Sequence, residues 1–310
     1  MSTVAIVMST YNGHEYIIEQ IESILAQDYT DFNLFVRDDG SSDNTLEILQ
    51  KLATRDSRIK LVFDKVGQTN SNKGFGESFS IAIGQAMAQG DFSYFAFCDQ
   101  DDYWEPTKLS HAVAAMENSD MKRPTLYASN YYICDSNLQV QGTFADSTPL
   151  KNVTFENLFF EGVFPGFTIV INKVLARKAF SHLDMGDIYY HDKWVTLIAM
   201  GLNGKLMYDV TPLAKYRRHE GAASSTNLGP VKKLKWRIDK VLNGDFCPRT
   251  KAMLVTFKEL FYKQVSYDIR DFLDTFTKRG RLARLFYRKR LRRSFGGEIL
   301  LRIIILLGKL

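Results

Sequence analysis

Cysteine is scarce in this chain. Cys98, Cys134 and Cys247 are the three present in 310 residues. An odd number with no Cys-x-x-Cys spacing argues against a disulfide framework and a thiolate zinc site, and a reducing cytosol is the expected setting. Long apolar runs are missing too. The segment "ILLRIIILL" at 299–307 is too short to cross a bilayer, which takes about 20 helical residues. Nothing basic precedes the first apolar stretch at 4–8, so no secretory leader is expected. Neither an internal repeat nor a low-complexity tract occurs. Acid is nearly absent from the C-terminal end: residues 275–310 hold 11 Lys and Arg against the single Glu298. That segment is +10 within a chain of net +5, which leaves −5 for the rest. The two parts are expected to meet different partners.

What remains is ordinary for a globular protein, with 45% apolar and 24% charged residues. The length fits one large domain or a domain with an appendage. Apolar β-rich runs recur as "VAIVM" at 4–8, "LFVR" at 34–37, "IKLVF" at 59–63 and "YFAFC" at 94–98. Helical patterns lie between them. Ile17, Ile21, Ile24 and Leu25 share one face, Asp43 is placed to cap a helix bearing Leu46 and Leu49, and "SFSIAIGQAMAQ" forms a third helix. This alternation predicts βαβ units, hence a mostly parallel twisted sheet with helices on both faces. Further strands are expected at 126–135, 168–173 and 205–210. After about Val231 the texture turns helical and basic, with Gly229-Pro230 as a boundary.

In parallel sheets ligands sit beyond the carboxyl ends of strands. The polar residues there are Ser9 to Asn12, Asp38 to Ser41 and Asp99 to Asp102. Crowded carboxylates at a strand end need a reason. Residues two apart in an extended segment point to one side, so Asp99 and Asp101 can converge while Gln100 faces away. Two such acceptors suit Mg²⁺ or Mn²⁺ with a ligand diphosphate. The alternative is a solvated turn, with Asp102 capping a helix that has Pro106 in its first turn.

Four motifs in order carry a resemblance. "VAIVMSTYNGHEYIIEQIESILAQDY", "VRDDGSSDNTLEIL", "NKGFGESF" and "FCDQDDYWEPTKL" are together similar to the inverting family 2 glycosyltransferases, over roughly residues 3 to 225. The form DQDD with Trp104 and Lys108 is similar to the rhamnosyltransferase-like subgroup of bacterial surface polysaccharide synthesis. The resemblance implies an α/β nucleotide-diphospho-sugar transferase (A-type) fold. It implies a catalytic domain at 1–228, with a nucleotide-binding half at 1–104 and an acceptor half at 105–228, followed by a basic helical region at 229–310. Donor-binding residues would be Thr10, Tyr11, Asp38, Asp39, Asn72, Lys73, Asp99 and Arg218. Tyr11 would stack on the base, and Asp39 would accept a pyrimidine N3–H. Asp101, Asp99 and His219 would ligate Mn²⁺ or Mg²⁺.

An inverting transfer needs a base apart from the metal-side carboxylates. "YYHDKWVTLIAMG" (189–201) resembles the family's base motif and assigns Asp192, which equally suits a helix N-cap. Burial by Tyr190 and Trp194 would have to offset the helix N-terminus, which lowers a carboxyl pKa. On the acceptor side stand Trp104, Gly166, His191 and Trp194; Phe-Pro-Gly-Phe at 164–167 departs from the Gly-Cys common in the family, and core packing is the other reading of both tryptophans.

The expected reaction is transfer of L-rhamnose from dTDP-β-L-rhamnose, in α-linkage, to a lipid-linked saccharide. The alternatives are a UDP-hexose or UDP-N-acetylhexosamine donor, a sugar nucleotidyltransferase, or a non-catalytic scaffold. A nucleotidyltransferase would need a Gly-rich basic loop where "STYNGHEY" stands. The basic segment 278–293, with Leu282, Leu285, Phe286, Leu291 and Phe295, reads as an interfacial helix on the inner face of the cell membrane. No nucleic-acid partner is expected, because interleaved aromatics are missing. An RNA-binding tail, and packing on a partner chain as in a homo-oligomer, are the two other readings of the tail.

Overall fold

A computed structural model of the chain describes residues 3–64, 70–120, 122–144, 151–181, 190–219 and 246–310. In chain order the elements are β1 (Val4–Thr10), α1 (Ile17–Leu25), β2 (Phe32–Asp38), α2 (Thr45–Arg55), β3 (Ile59–Leu61), α3 (Phe75–Gln89), β4 (Tyr94–Cys98), β5 (Tyr103–Trp104), α4 (Lys108–Glu117), β6 (Thr125–Cys134), β7 (Val140–Thr143), α5 (Phe155–Phe160), β8 (Ile169–Asn172), α6 (Lys173–Phe180), α7 (His191–Gly201), β9 (Lys205–Arg217), α8 (Phe246–Phe261), α9 (Tyr267–Thr277), α10 (Arg281–Leu285) and α11 (Phe295–Leu306). The strands form one sheet in the order β3-β2-β1-β4-β8-β6-β9-β5, with β7 paired to β6.

Alternation along the strands builds a core on each face, because successive side chains point to opposite sides. Val4, Ile6 and Met8 of β1 join α1, α2 and α4 in one core. Ala5 and Val7 join α3, α5, α6 and α7 in the other. Such a strand, covered on both faces, reads as a continuous apolar run. Ile17, Ile21 and Ile24 are the buried face of α1, as their spacing predicts.

The parallel arrangement expected from βαβ alternation holds for β3, β2, β1 and β4. The second half is mixed: β8 is antiparallel to β4 and β6, and β5 is antiparallel to β9. Asp43 is not the N-cap of α2. Asn44 holds that position, and Asp43 instead accepts from Thr45 N (3.0 Å) and Thr45 Oγ1. Asp102 caps no helix either; α4 begins one residue after Thr107.

The boundary expected at Gly229-Pro230 lies outside the described residues. Past it, Phe257 and Phe261 of α8, Phe272 and Phe276 of α9, and Leu301, Ile304 and Ile305 of α11 enter the same core as α5 and α7. Trp194 of α7 meets Phe257 at 6.0 Å and Phe261 at 6.2 Å. The basic segment is also not one helix. α10 is short, Leu291 is buried, and α11 starts afresh at Phe295. Among the described residues no helix is long and apolar enough to cross a membrane.

Candidate active site

Strand register brings the motifs together. Thr10 is level with Asp38, and Met8 with Cys98. The residues that follow β1, β2 and β4 therefore emerge side by side, at the carboxyl ends of adjacent parallel strands. They open into a cavity of about 670 Å³ lined by Thr10, Tyr11, Asp39, Asn72, Asp99 and Asp101 from these ends and the loop before α3. Gly166, Tyr190, His191 and Asp192 line it from the second half of the chain.

On the β2 side, Asp39 organises the loop. Its carboxylate accepts from Lys73 N at 2.9 Å, Gly74 N at 2.8 Å and the Arg37 guanidinium. Gly74 has φ +81°, a conformation that favours glycine. These bonds hold Asn72 at the cavity. A carboxylate offers about four lone-pair sites, so one on the Oδ2 that serves Gly74 is without a partner among the described residues. Asp38 does not line the cavity. It is buried, accepting from Thr10 Oγ1 at 3.0 Å, Ser41 Oγ at 2.5 Å and Ser41 N at 2.9 Å. Its role is the turn. Lys73 does not line the cavity either; its ammonium pairs with Glu77 at 2.9 Å.

On the β4 side, Gln100 does not face away. Its Oε1 accepts from Tyr11 N at 2.8 Å and its Nε2 donates to Tyr11 O at 3.2 Å, tying the ends of β1 and β4 across the cavity floor. Asp101 Oδ2 lies 2.9 Å from His219 Nε2. Arg218 and His219 line an adjoining cavity of about 800 Å³, which shares Tyr11 and Gln100 with the first. Asp102 is buried and accepts from Arg217 N at 3.2 Å. Arg217 itself donates to Asp101 O at 2.9 Å and Ser136 O at 2.6 Å and pairs with Glu19, so β9 clamps the acidic turn. Arg217 was not singled out from the sequence, where nothing separates it from Arg218; it is the buried end of β9.

The carboxylates crowd one another. Burial first, then Asp101 and Asp192, push Asp99 up to about 7. Burial, Asp101 and Asp99 raise Asp102 well above the usual range. Carboxylates this close favour a cation among them, and Asp101 with His219 offers oxygen and imidazole donors suited to Mn²⁺. Among the described residues no three acidic, histidine or cysteine side chains are closed up into a ready metal cage. The residues thus fit an ion that takes its remaining ligands from diphosphate and water.

Asp192 stands in the first turn of α7 but is not its N-cap, which is Tyr190. Burial raises its pKa, against lowering by Lys193 N–H, which donates at 2.7 Å, and by the Lys193 ammonium. The offset expected against the helix terminus is thus present. Beside it, His191 packs on Phe79 at 4.0 Å and Phe97 at 4.8 Å between ring centroids. Both ring nitrogens are buried without a hydrogen-bond partner among the described residues. Burial drives its pKa down to about 3, so the ring is neutral. Gly166 makes room for it: a Cβ there would lie 2.5 Å from His191 Nε2.

Both expected tryptophans are elsewhere. Trp104 is fully buried beneath the Lys108 ammonium, 5.0 Å from the ring centroid. Trp194 is fully buried, and its Nε1 donates to Ala179 O at 3.0 Å. Neither can stack on a saccharide. The aromatic wall is built instead by Tyr131, Phe167 and Tyr216, with Phe167 and Tyr216 stacked at 5.6 Å. These were not singled out from the sequence, where nothing separates a wall aromatic from a core one.

Comparison with known proteins agrees with this geometry. The sequence profile described as glycosyl transferase family 2 matches residues 5–161. The dTDP-rhamnosyl transferase RfbG of Shigella flexneri is 30% identical over 71% of this chain and 74% of its own. An Escherichia coli protein, UDP-Glc:alpha-D-GlcNAc-diphosphoundecaprenol beta-1,3-glucosyltransferase WfaP, is 27% identical over 73% of this chain and 81% of its own. The crystal structure of S. aureus TarS 1–349 in complex with UDP-GlcNAc superimposes with a TM-score of 0.61 at 18% identity, over 99% of this chain and 80% of that one. A profile match over half the chain, and a relative matched along most of both lengths, place it: this protein belongs to glycosyl transferase family 2, has the A-type fold and is a glycosyltransferase.

Proposed function

We propose that the protein transfers a sugar, with inversion, from a nucleotide-diphospho-sugar to a lipid-linked saccharide during surface polysaccharide synthesis. The observation that carries this reading is the sharing of one cavity by Asp192 and by Asp99 and Asp101, which stand on different elements. Tyr11, Asn72 and the open lone pair of Asp39 face the nucleotide. Arg218 reaches the diphosphate from the adjoining cavity. Asp99, Asp101 and His219 would hold Mn²⁺ or Mg²⁺, which when bound supplies positive charge to the leaving diphosphate. Asp192 takes the proton of the acceptor hydroxyl as that oxygen bonds to the anomeric carbon. The bond from that carbon to the diphosphate breaks, and the nucleoside diphosphate leaves with the electron pair. A raised pKa makes Asp192 the stronger base. The neutral His191 ring lines the cavity, and turning it would bring one of its buried nitrogens to a sugar hydroxyl.

For the donor we favour dTDP-β-L-rhamnose, giving an α-linkage, on the likeness to the Shigella protein. A UDP-hexose is the second reading, favoured by the E. coli relative. Trp104 and Lys108, on which the rhamnosyl resemblance partly rests, are buried away from the cavity, so the sugar is read by other residues. The enzyme works peripherally at the inner face of the membrane. A hydrolysis and transfer screen of UDP-, dTDP- and GDP-sugars with Mg²⁺ or Mn²⁺ tests the proposal. One nucleotide should be turned over, and Asp192→Asn should lower kcat about 100- to 10,000-fold with donor affinity kept. Full activity in that variant removes the base assignment.

A further inference from the structure

The C-terminal helices leave an apolar face uncovered. Leu282 on α10, Phe286 directly after it, and Phe295, Ile299, Ile303 and Leu306 on α11 are all exposed, Phe286 and Phe295 at 77% and 75%. Positions 295, 299, 303 and 306 recur at helical spacing and form one stripe. The opposite stripe, Leu301, Ile304 and Ile305, is buried. The two helices adjoin: Arg281 Nη1 donates to Leu306 O at 3.1 Å, and Arg302 Nη1 donates to Arg284 O at 3.1 Å. Exposed Arg281, Arg288, Arg290, Arg293 and Lys309 stand on the same segment.

We infer that this α10–α11 face docks on an anionic phospholipid bilayer, its apolar stripe entering the headgroup boundary while the bases meet lipid phosphate. The inference rests on the proposed lipid-linked acceptor and names the surface that meets the lipid. Exposed apolar side chains on a segment rich in Lys and Arg match such an interface. Each base near it strengthens binding about fivefold. A second copy fits less well, because it would bring two like-charged segments together. The face is also tied to the site. Asn157 Nδ2 donates to Arg290 O at 3.0 Å, and Arg293 N donates to Glu161 Oε1 at 2.7 Å. Glu161 is four residues before Pro165, which lines the cavity. That is a reach of at most about 14 Å along the chain. The segment that bears the face is thus anchored within that reach of the cavity wall.

The test is flotation of the full chain with vesicles of phosphatidylglycerol and phosphatidylcholine, or phosphatidylcholine alone, without substrate. Point substitutions are needed, because removing 276–310 would strip buried residues from the core. The chain should float with the anionic vesicles, and Phe286→Glu with Phe295→Glu should weaken this at least tenfold while its thermal unfolding stays unchanged. Equal flotation of the variant overturns the assignment of the face. So does a chain that stays in solution as an oligomer which the variant breaks. Turnover of donor with a soluble acceptor, measured on both proteins, reports separately on the glycosyl-transfer reading; its loss in both would fault that reading and leave the flotation result standing.

Discussion

Lys193 offers a test of the electrostatics behind the base. Lys193 is 8% exposed, its ammonium donates to Phe159 O, and burial drives its pKa from 10.5 to about 7. At about 1.4 kcal/mol per pH unit, that fall corresponds to roughly 5 kcal/mol between the two protonation states. The folded chain gives up this proton about 3.5 pH units before the unfolded one. Below pH 7 both states hold it, and the full penalty of burying charge applies. From pH 7 to 10.5 only the unfolded state holds it, so stability rises with pH, by up to about 1.4 kcal/mol per unit. Lys193→Met keeps the stem and deletes the charge. Denaturant unfolding followed from pH 6 to 9 should show the variant more stable at pH 6 and its curve flatter above pH 7. The ammonium also lowers the pKa of Asp192, so the acid limb of kcat/KM in the variant should move to higher pH. Parallel stability curves for the two proteins would refute the buried charge. An unmoved acid limb would refute its coupling to Asp192.

Other outcomes follow from the same geometry. Gly166→Ala puts a methyl against His191 Nε2; acceptor KM should rise about tenfold, the order of one lost hydrogen bond to a neutral group, and donor hydrolysis should change little. If His191 makes no such bond, His191→Phe will match the wild type in acceptor kinetics. Asp101→Asn should abolish the Mn²⁺ dependence of nucleoside-diphosphate binding measured by titration calorimetry, and retained dependence would move the ion elsewhere. Trp194→Ala should cost about 3–5 kcal/mol of stability from the cavity it leaves, with the preference among acceptors unchanged; a changed preference at full stability would return Trp194 to the acceptor site.

Much of the first half was legible because local rules and tertiary structure agree there. The strand at 4–8 and the helix at 17–25 are specified by their apolar period, and the register of parallel neighbours puts the polar residue after each strand into the same place. The spacing of Asp99 and Asp101 therefore carried over to the cavity, and Asp192, assigned by resemblance, lines the same space from α7. Legibility failed where two residues of one type divide the work. Asp38 and Asp39 are neighbours in a turn, yet one closes the turn and the other faces the loop. Arg217 is the buried last residue of β9 and Arg218 the half-buried residue after it, a difference the residue type does not show. Trp104 and Trp194 suit a sugar face as well as a core by composition, and depth in the fold decided both. The tail looked like one continuous helix because its bases are continuous, whereas Leu291 turns inward and breaks the pattern.

The packing of α8, α9 and α11 against α5 and α7 has a practical consequence. A shortened chain ending before Phe246, the obvious design for a minimal transferase, would bare Phe155, Phe159, Phe160 and Trp194 to water. Such a fragment is expected to precipitate rather than work. The C-terminal helices and the part of the chain that builds the cavity are thus inseparable by the knife, and neither can be exchanged in a chimera without recutting the phenylalanine seam between them.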